Sequence, residues 1–549
     1  MAKPTKGSAK NQNPVRSVNP QCQIVWFKWL SDVINRRLTG STSLLSKSTA
    51  FDISNHLVDT CTYSKNMGTA AGSFTFRLDS SRDWKKEIKP GSWCAIFMSN
   101  EGDLSLPEVR GLTSDKLPKA NRDKIKKERL RGICYIERVI VSGEVDDKGV
   151  ITTHFEVSGR DIGVVYEETD LWFNFFELEE LAVVGLSDQL PFTNNNTLTE
   201  LIDVAHDLFY APEKRISSKT KEAIKLTEIG KQWLLPKEML SMLKIPHSGP
   251  SFFGNITGLR NFGKTLCRIP ITNPLDYIKG NAWEKLKEYS MPELHELFIE
   301  LNDKGNPELI FRSIPWGIKK DKYPKLYREM KDNPLIYLDL IKKQRIDINA
   351  IDILDYTTGE DNHNRYNHFL LSMQSTVVIP ESVISILKNT ISPGGKTFPF
   401  LEEGSTQRHG LRKMHLSLNT FAFAAKESGA NPGNGFPDAK ILVEYNELIF
   451  DYWNNAIFFE SGSASIIGKN EIRIGRPIVF GDDVSYNANK AFYIESYTDE
   501  FSIGANGTTE WKQDLQLTRG IEIADLQSLG GFARASRALT ETGSFIKGN

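Results

Sequence analysis

The sequence predicts a β-rich α+β protein in which one β-domain occurs twice. Three observations predict it. The first is a long hairpin pattern within residues 465–520. Its second arm places Trp511, Leu515 and Leu517 on one face and Lys512, Asp514, Gln516 and Thr518 on the other, the period-two alternation of a half-buried strand. The second is recurrence. Residues 134–160 (CYIERVIVSGEVDDKGVITTHFEVSGR) carry the same pattern, Tyr135-Ile136-Glu137 returns as Tyr493-Ile494-Glu495, and Ile151, Phe155 and Val157 form the apolar face of the return arm. The third is turn chemistry in matching places. Asp147-Lys148-Gly149 and Asn506-Gly507 sit between the arms, where glycine reaches positive φ without strain. Upstream, Pro90-Gly91 precedes WCAIF as Ile474-Gly475 precedes RPIVF. The return arms close on Ser158-Gly159-Arg160 and on Thr518-Arg519-Gly520. A shared tripeptide is weak alone; four features in one order argue for a duplicated domain.

A chain of 549 residues exceeds one hydrophobic core, so three or four domains are expected. The apolar (40%) and charged (25%) fractions are those of a soluble globular protein, and a net charge of -1 gives no global field for nucleic acid. No run of eighteen apolar residues exists, so no membrane-spanning helix is expected. The basic N-terminus lacks the apolar region and cleavage site of a secretory signal. Cys22, Cys61, Cys94, Cys134 and Cys267 are scattered without a CxxC pair. They read as reduced, mostly buried thiols, with neither a disulfide framework nor a zinc site.

Residues 1–20 are polar and basic and are expected to be flexible or ordered by a partner. From Gln23 to Leu38 the spacing of Ile24, Phe27, Trp29, Leu30, Val33 and Ile34 predicts a short amphipathic helix, docked on its own domain or a neighbour in preference to a membrane. Phe51 to Asp170 reads as strands, including Ser73–Leu78 and Trp93–Phe97. A basic loop, 109–131, interrupts them with Lys116, Lys119, Arg122, Lys124, Lys126, Lys127, Arg129 and Arg131. Such a loop could touch nucleic acid or an acidic partner, but a solvated loop packed at a subunit contact is the favoured reading. The lack of interleaved aromatics counts against single-strand binding. Helices are predicted over Leu198–Tyr210, Leu234–Leu243, Trp283–Leu301 and from about His415 to Ala425. Leu309–Trp316 and Thr376–Ile379 read as strands, Ile346–Leu354 as a strand or a connection into a helical turn, and residues 393–395 as a turn.

Chemistry is sparse. His363 and His368 are five residues apart and His409 and His415 six, whereas helical metal pairs prefer three or four. Asp361 beside His363 reads as a polar loop. The adjacent acids Glu167-Glu168 and Glu402-Glu403 point different ways and offer no acid/base pair. The glycine-rich run Ser251–Thr265 lacks the GxxxxGK[ST] spacing of a phosphate loop. No GxSxG, HExxH or cysteine-nucleophile signature occurs. No catalytic, cofactor-binding or metal-binding residue is therefore expected, no cofactor is assigned, and the chain is not expected to be an enzyme.

Several stretches in order resemble a known family: SFTFRLDSSRDWKKEIKPGSWCAIF (73–97), YIERV…VSGRDIGVVYE (135–167), LIFRSIPW (309–316), STQRHGLRKM (405–414) and IRIGRPIVF…YIES…LQLTRG (472–520). Together they make the chain similar to the central hub protein of contractile bacteriophage baseplates, the family shared with the hub portion of type VI secretion spike proteins. The similarity covers most of residues 50–525, and the order of the motifs is its specific part. It implies two tube-like β-barrel domains, the second one split, plus an inserted mixed α/β outer domain. The layout it implies is an N-terminal arm (1–46), a first tube-like domain (47–175), an outer domain (176–304 and 361–454), a second tube-like domain (305–360 and 455–525) and a C-terminal tail (526–549). It further implies a homotrimer in the virion, assembled in the host cytoplasm. Such a hub adapts a sixfold tail tube to a threefold spike around a channel for DNA. Its partners would be further copies of itself, the tail tube protein and the spike protein, with the tape-measure protein and baseplate wedge proteins as additional contacts. The arm and the basic loop lie outside the family core. Two other readings stand beside it: the tail-tip hub of a non-contractile phage, and a peptidoglycan-degrading tail enzyme, for which no hydrolase-like stretch is found.

Overall fold

The computed structural model describes residues 19–29, 48–100, 116–117, 119–122, 125–145, 149, 151–174, 236–244, 277–290, 292, 295–313, 337–360, 366–373, 400–401, 406–407, 410–418, 459–484, 487–504 and 506–523. These residues are β-rich. The early strands are β1 (Gln21–Trp29), β2 (Ser48–Asp52), β3 (Leu57–Asn66), β4 (Ser73–Leu78), β5 (Trp93–Ser99), β6 (Leu130–Val145) and β7 (Ile151–Asp161). Next come β8 (Asp170–Asn174), β9 (Tyr277–Asn281), β10 (His295–Leu301) and β11 (Pro307–Ser313). The later strands are β12 (Ile346–Ile348), β13 (Ile353–Glu360), β14 (His368–Met373), β15 (Phe400–Leu401), β16 (Lys413–Leu418), β17 (Glu460–Ile467), β18 (Pro477–Phe480), β19 (Lys490–Ile503) and β20 (Thr509–Glu522). The described helices are short: α1 (Trp84–Glu87), α2 (Lys119–Arg122), α3 (Val164–Glu167), α4 (Lys237–Met242), α5 (Ala282–Ser290) and α6 (Tyr337–Gln344).

One thirteen-stranded, mostly antiparallel sheet runs β13-β17-β20-β19-β3-β4-β7-β6-β5-β1-β2, with β12 and β18 attached beside β19. Two sets of four strands in it are wired alike. In the first, β4 pairs with β7, β7 with β6 and β6 with β5. In the second, β17 pairs with β20, β20 with β19 and β19 with β18. The likeness extends to single rungs. Ile136 lies opposite Gly159 and Ile494 opposite Leu517, and each register then slips by one residue, at Glu137 and at Glu495. Gly91 and Gly475 both take positive φ (90° and 75°). Gly91 N–H donates to Ile136 O at 2.8 Å, as Gly475 N–H donates to Ile494 O at 2.9 Å. Ile136 N–H returns a bond to Ser92 O, and Ile494 N–H returns one to Arg476 O. A left-handed residue is needed there to turn the chain into β5 or β18, and glycine takes that conformation without Cβ strain.

Trp511, Leu515 and Leu517 are at most 3% exposed and lie in a buried cluster that also holds Phe74, Phe76, Val157, Phe492 and Ile494. The expected strands over 73–78, 93–97 and 309–313 are present, as are the turn glycines Gly149 and Gly507 at positive φ. Residues 346–354 form β12, a 3-10 turn and the start of β13. Cys61, Cys94 and Cys134 are buried free thiols.

Several expectations are corrected. Residues 21–29 form β1, not the start of a helix: Ile24, Val25, Trp26 and Phe27 are all buried between β2 and β5. A strand covered on both faces shows no alternation, so its apolar spacing also fits a helix. The helix expected over 283–301 stops at Ser290, short of Pro292, and His295–Leu301 is strand β10, because proline disfavours helical backbone before it. The His415 helix is replaced, over its described part, by β16. Ile151 is 68% exposed at the β6–β7 tip, where the core ends, while Phe155 and Val157 are buried. In register, Arg160 faces Tyr135 and Thr518 faces Tyr493, so 516–518, not 518–520, correspond to 158–160. The strand β20 runs on to pair with Ala491 and Lys490. The predicted helix at 234–243 is present as α4. The segments 1–18, 30–47, 198–210, 251–265, 376–379, 393–395 and 419–425 lie outside the described residues, as does Cys267.

Leu515→Asp combined with Leu517→Asp is expected to remove several kcal/mol of stability, about 2 or more for each charge forced into apolar packing. Urea unfolding checks it; an unchanged midpoint would contradict the core assignment.

Candidate assembly interface

Among the described residues, one strand pairing joins the two strand sets. Strand β3 pairs antiparallel with β19, from Thr60 opposite Ser502 to Asn66 opposite Ser496. Alternate residues on both strands point inward. Cys61, Tyr63 and Lys65 are at most 2% exposed, and Tyr497, Asp499 and Phe501 at most 3%. The rings of Tyr63 and Tyr497 lie 6.2 Å apart across the seam. Ladder hydrogen bonds hold the backbones, and the inward rows close the core behind them.

Charged groups are buried along this seam, and each is compensated. Arg131, at the start of β6, is fully buried. Its Nε donates to Asp499 Oδ2 at 2.7 Å, Nη1 to Asn470 O at 3.1 Å and Nη2 to Ile472 O at 3.2 Å. Its guanidinium also lies 5.0 Å from the Tyr497 ring centroid and 5.8 Å from that of Trp511. Asp499 Oδ1 accepts from Trp511 Nε1 at 3.0 Å and Gln513 Nε2 at 2.7 Å. Burial alone would lower the Arg131 pKa, but Asp499 and Tyr497 hold it above its usual value. On the other side, Lys65 Nζ pairs with Asp161 and donates to Ala70 O at 2.9 Å, and Tyr63 Oη donates to Asp161 at 2.9 Å. An unpaired charge here would be strongly unfavourable, so these residues fix one register.

The β10–β11 hairpin packs over the second set through two buried acids. Glu296 accepts from Arg312 Nε at 2.9 Å, Arg519 Nη1 at 2.7 Å and the Tyr493 hydroxyl. Burial raises its carboxyl, yet Arg519 and Arg312 hold it below its usual value. Glu300 accepts from Ile474 N–H at 3.0 Å and Leu301 N–H at 2.8 Å and lies 3.9 Å from Arg473. Burial pushes its carboxyl up to about 7, with Lys65, the two N–H groups and Arg131 opposing. Arg473 Nη2 reaches back to Leu130 O at 3.0 Å. Arg473 therefore links the hairpin's Glu300 to the first strand set.

The basic loop is partly absorbed by this architecture. Arg131 belongs to β6, Arg122 pairs with Glu238 of α4, and Lys127 donates to Asn306 in the β10–β11 turn. Glu167 and Glu168 both bind Arg160, which also holds Glu137, so they form an ion cluster instead of diverging. His368 lies on β14 opposite Lys413, and His415 on β16 opposite Leu370. His363, His409, Asp361, Glu402 and Glu403 lie outside the described residues. Among the described residues no group of three or more His, Cys, Asp or Glu is placed to hold a metal ion, and no helix is long and apolar enough to cross a membrane. The seam acids and bases carry only a faint signal in the sequence. The available signals were two glutamates inside the apolar run HELFIEL and an arginine ending a charged loop directly before one.

Arg131→Met is expected to cost about 3–5 kcal/mol, because it leaves Asp499 buried without its cation. Chemical denaturation checks this, and a loss below about 1 kcal/mol would contradict the seam's dependence on the pair. Glu300 gives a pH signature. Its folded pKa lies above the ordinary 4.5, so the folded state keeps a proton that the unfolded state has lost. Stability should fall as pH rises from about 4.5 to 7, by about 3 kcal/mol, and level off above. Glu300→Gln should flatten that slope in unfolding measurements across pH 4.5–8; an unaltered slope would contradict it.

No family model and no curated protein matches this sequence. Among solved structures, the chain is similar to the 43 kDa tail protein of prophage MuSo2 from Shewanella oneidensis, at 10% identity and a TM-score of 0.39, covering 90% of this chain and 98% of that one. It is similar to the tail protein from Neisseria meningitidis MC58 at 9% identity and a TM-score of 0.39, covering 91% and 96%. It is also similar to the lidded Francisella PdpA-VgrG complex at 8% identity and a TM-score of 0.38, covering 92% of this chain and 53% of that one. With scores below 0.5, these likenesses add no weight to a functional reading, which has to stand on the chain's own strand pairing.

Proposed function

We propose that this chain is a structural protein of a contractile phage tail: a homotrimeric baseplate hub that adapts the sixfold tail tube to the threefold spike. The observation that carries the reading is the β3–β19 seam, which joins two strand sets wired in the same order within one chain. In this reading the sets are two tube-like domains, 47–175 and the split 305–360 with 455–525, and the remainder of 176–454 forms an outer domain. Three such chains present six similar domains. A ring of six matches a sixfold tube on one face, while the chain repeat keeps threefold symmetry for a spike on the other. Closing the ring also removes exposed strand edges that otherwise invite aggregation. The channel so enclosed passes DNA. The partners are the tube protein and the spike protein, and the protein works as a scaffold without catalysing a reaction.

Mass photometry of the purified protein tests the reading. A species of three 62.0 kDa chains is expected, and it should co-purify with tube and spike proteins expressed beside it. A monomer that binds neither would overturn the reading.

A further inference from the structure

We infer that the free stretch of β6, residues 138–144, is completed by β13 of a second copy of this chain, in the register of the internal seam. The inference rests on the ring reading above and specifies its contacts. Within the chain, β19 uses its first residues to pair with β18 and then gives 496–502 to β3. Strand β6 is built alike. Its residues 130–135 pair with β5, but beyond them β6 meets only β7 among the described strands. The missing neighbour has a counterpart at the far end of the sheet. Strand β13 lies beside β17 as β3 lies beside β4, and its other side carries no described strand.

The register follows from matched rungs. Cys61 faces Phe76, which faces Val157; Tyr356 faces Ala464, which faces Leu515. Cys61 and Tyr356 are thus equivalent, as are Ser496 and Arg138, the residues just past the two register slips. Transferring the β3–β19 pairing places Val141 opposite Thr358, Ser142 opposite Thr357 and Gly143 opposite Tyr356 of the next copy.

Exposure agrees with that placement. Tyr497 and Asp499 are sealed by β3, whereas Val139 at the first equivalent position is half-buried and Val141 at the second is 47% exposed. Cys61 and Tyr63 are sealed by β19, whereas Tyr356 and Thr358 are half-buried. Both edges carry inward-pointing residues that lack the cover their counterparts have. A second copy is the occupant whose edge already has the matching geometry.

Paired cysteines test it. Ser142→Cys with Thr357→Cys puts thiols on directly opposed rungs, about 4.5–5.5 Å apart between Cα atoms and within disulfide reach. Copper-phenanthroline oxidation should convert more than half of the chains to covalent multimers on a non-reducing gel. Neither single variant nor the unsubstituted protein should do so. Thr62→Cys with Glu500→Cys, the internal equivalent, should close within one chain and serves as the positive control. Ser142→Cys with Asp355→Cys, two residues out of register, should stay uncross-linked. A trimer by mass that fails to cross-link at 142/357, or cross-links equally at 142/355, overturns this register and leaves the hub reading standing. A monomer by mass overturns both.

Discussion

One guanidinium ties the two halves of the main sheet together. Arg131 sits at the start of a strand in the first set, yet its carboxylate partner and both carbonyl acceptors belong to the second. It is fully buried, so its compensation is an obligation. Asp499 is in turn held by Trp511 and Gln513. A shift of either strand set would leave a buried charge unpaired. The seam is thereby fixed in one register, and the apolar core that spans both sets can close around it.

The two similarly paired sets differ in chemistry at one matching rung. At the fourth rung past the register slip in the first set, Val141 faces Phe155; at the matching rung of the second, Asp499 faces Gln513. The apolar pair lies near an uncovered edge, and the polar pair receives Arg131. Chemistry has been placed where the internal joint needs specificity. The ion cluster around Glu296 does comparable work one layer out, seating the β10–β11 hairpin on Tyr493 and Arg519. Buried polar networks of this kind define a unique arrangement when every member is satisfied.

Features that depend on local rules could be read from the sequence. Trp511, Leu515 and Leu517 alternate because one face of β20 meets the core, and Gly91, Gly149, Gly475 and Gly507 stand where the backbone takes positive φ. Features set by distant partners could not. Strand β1 is buried on both faces and shows no period, so its apolar residues also suit a helix. Arg131 reads as the last charge of a basic loop because Asp499 lies 368 residues away in the chain. Glu300 reads as one acid in a predicted helix, and only the packed hairpin reveals that it is buried against Ile474 and Arg473. The buried charges that hold the seam are set by such distant partners.

The proposed ring requires that the β3–β19 joint made once inside the chain be made again between chains. Averaged electron images of the purified protein, viewed down the axis of the assembly, test it most directly. A closed ring of six similar β-lobes with threefold symmetry is expected, alternate boundaries being the β3–β19 seam. A particle with two lobes, or a ring closed by contacts that leave β6 and β13 at its outer edge, would contradict it.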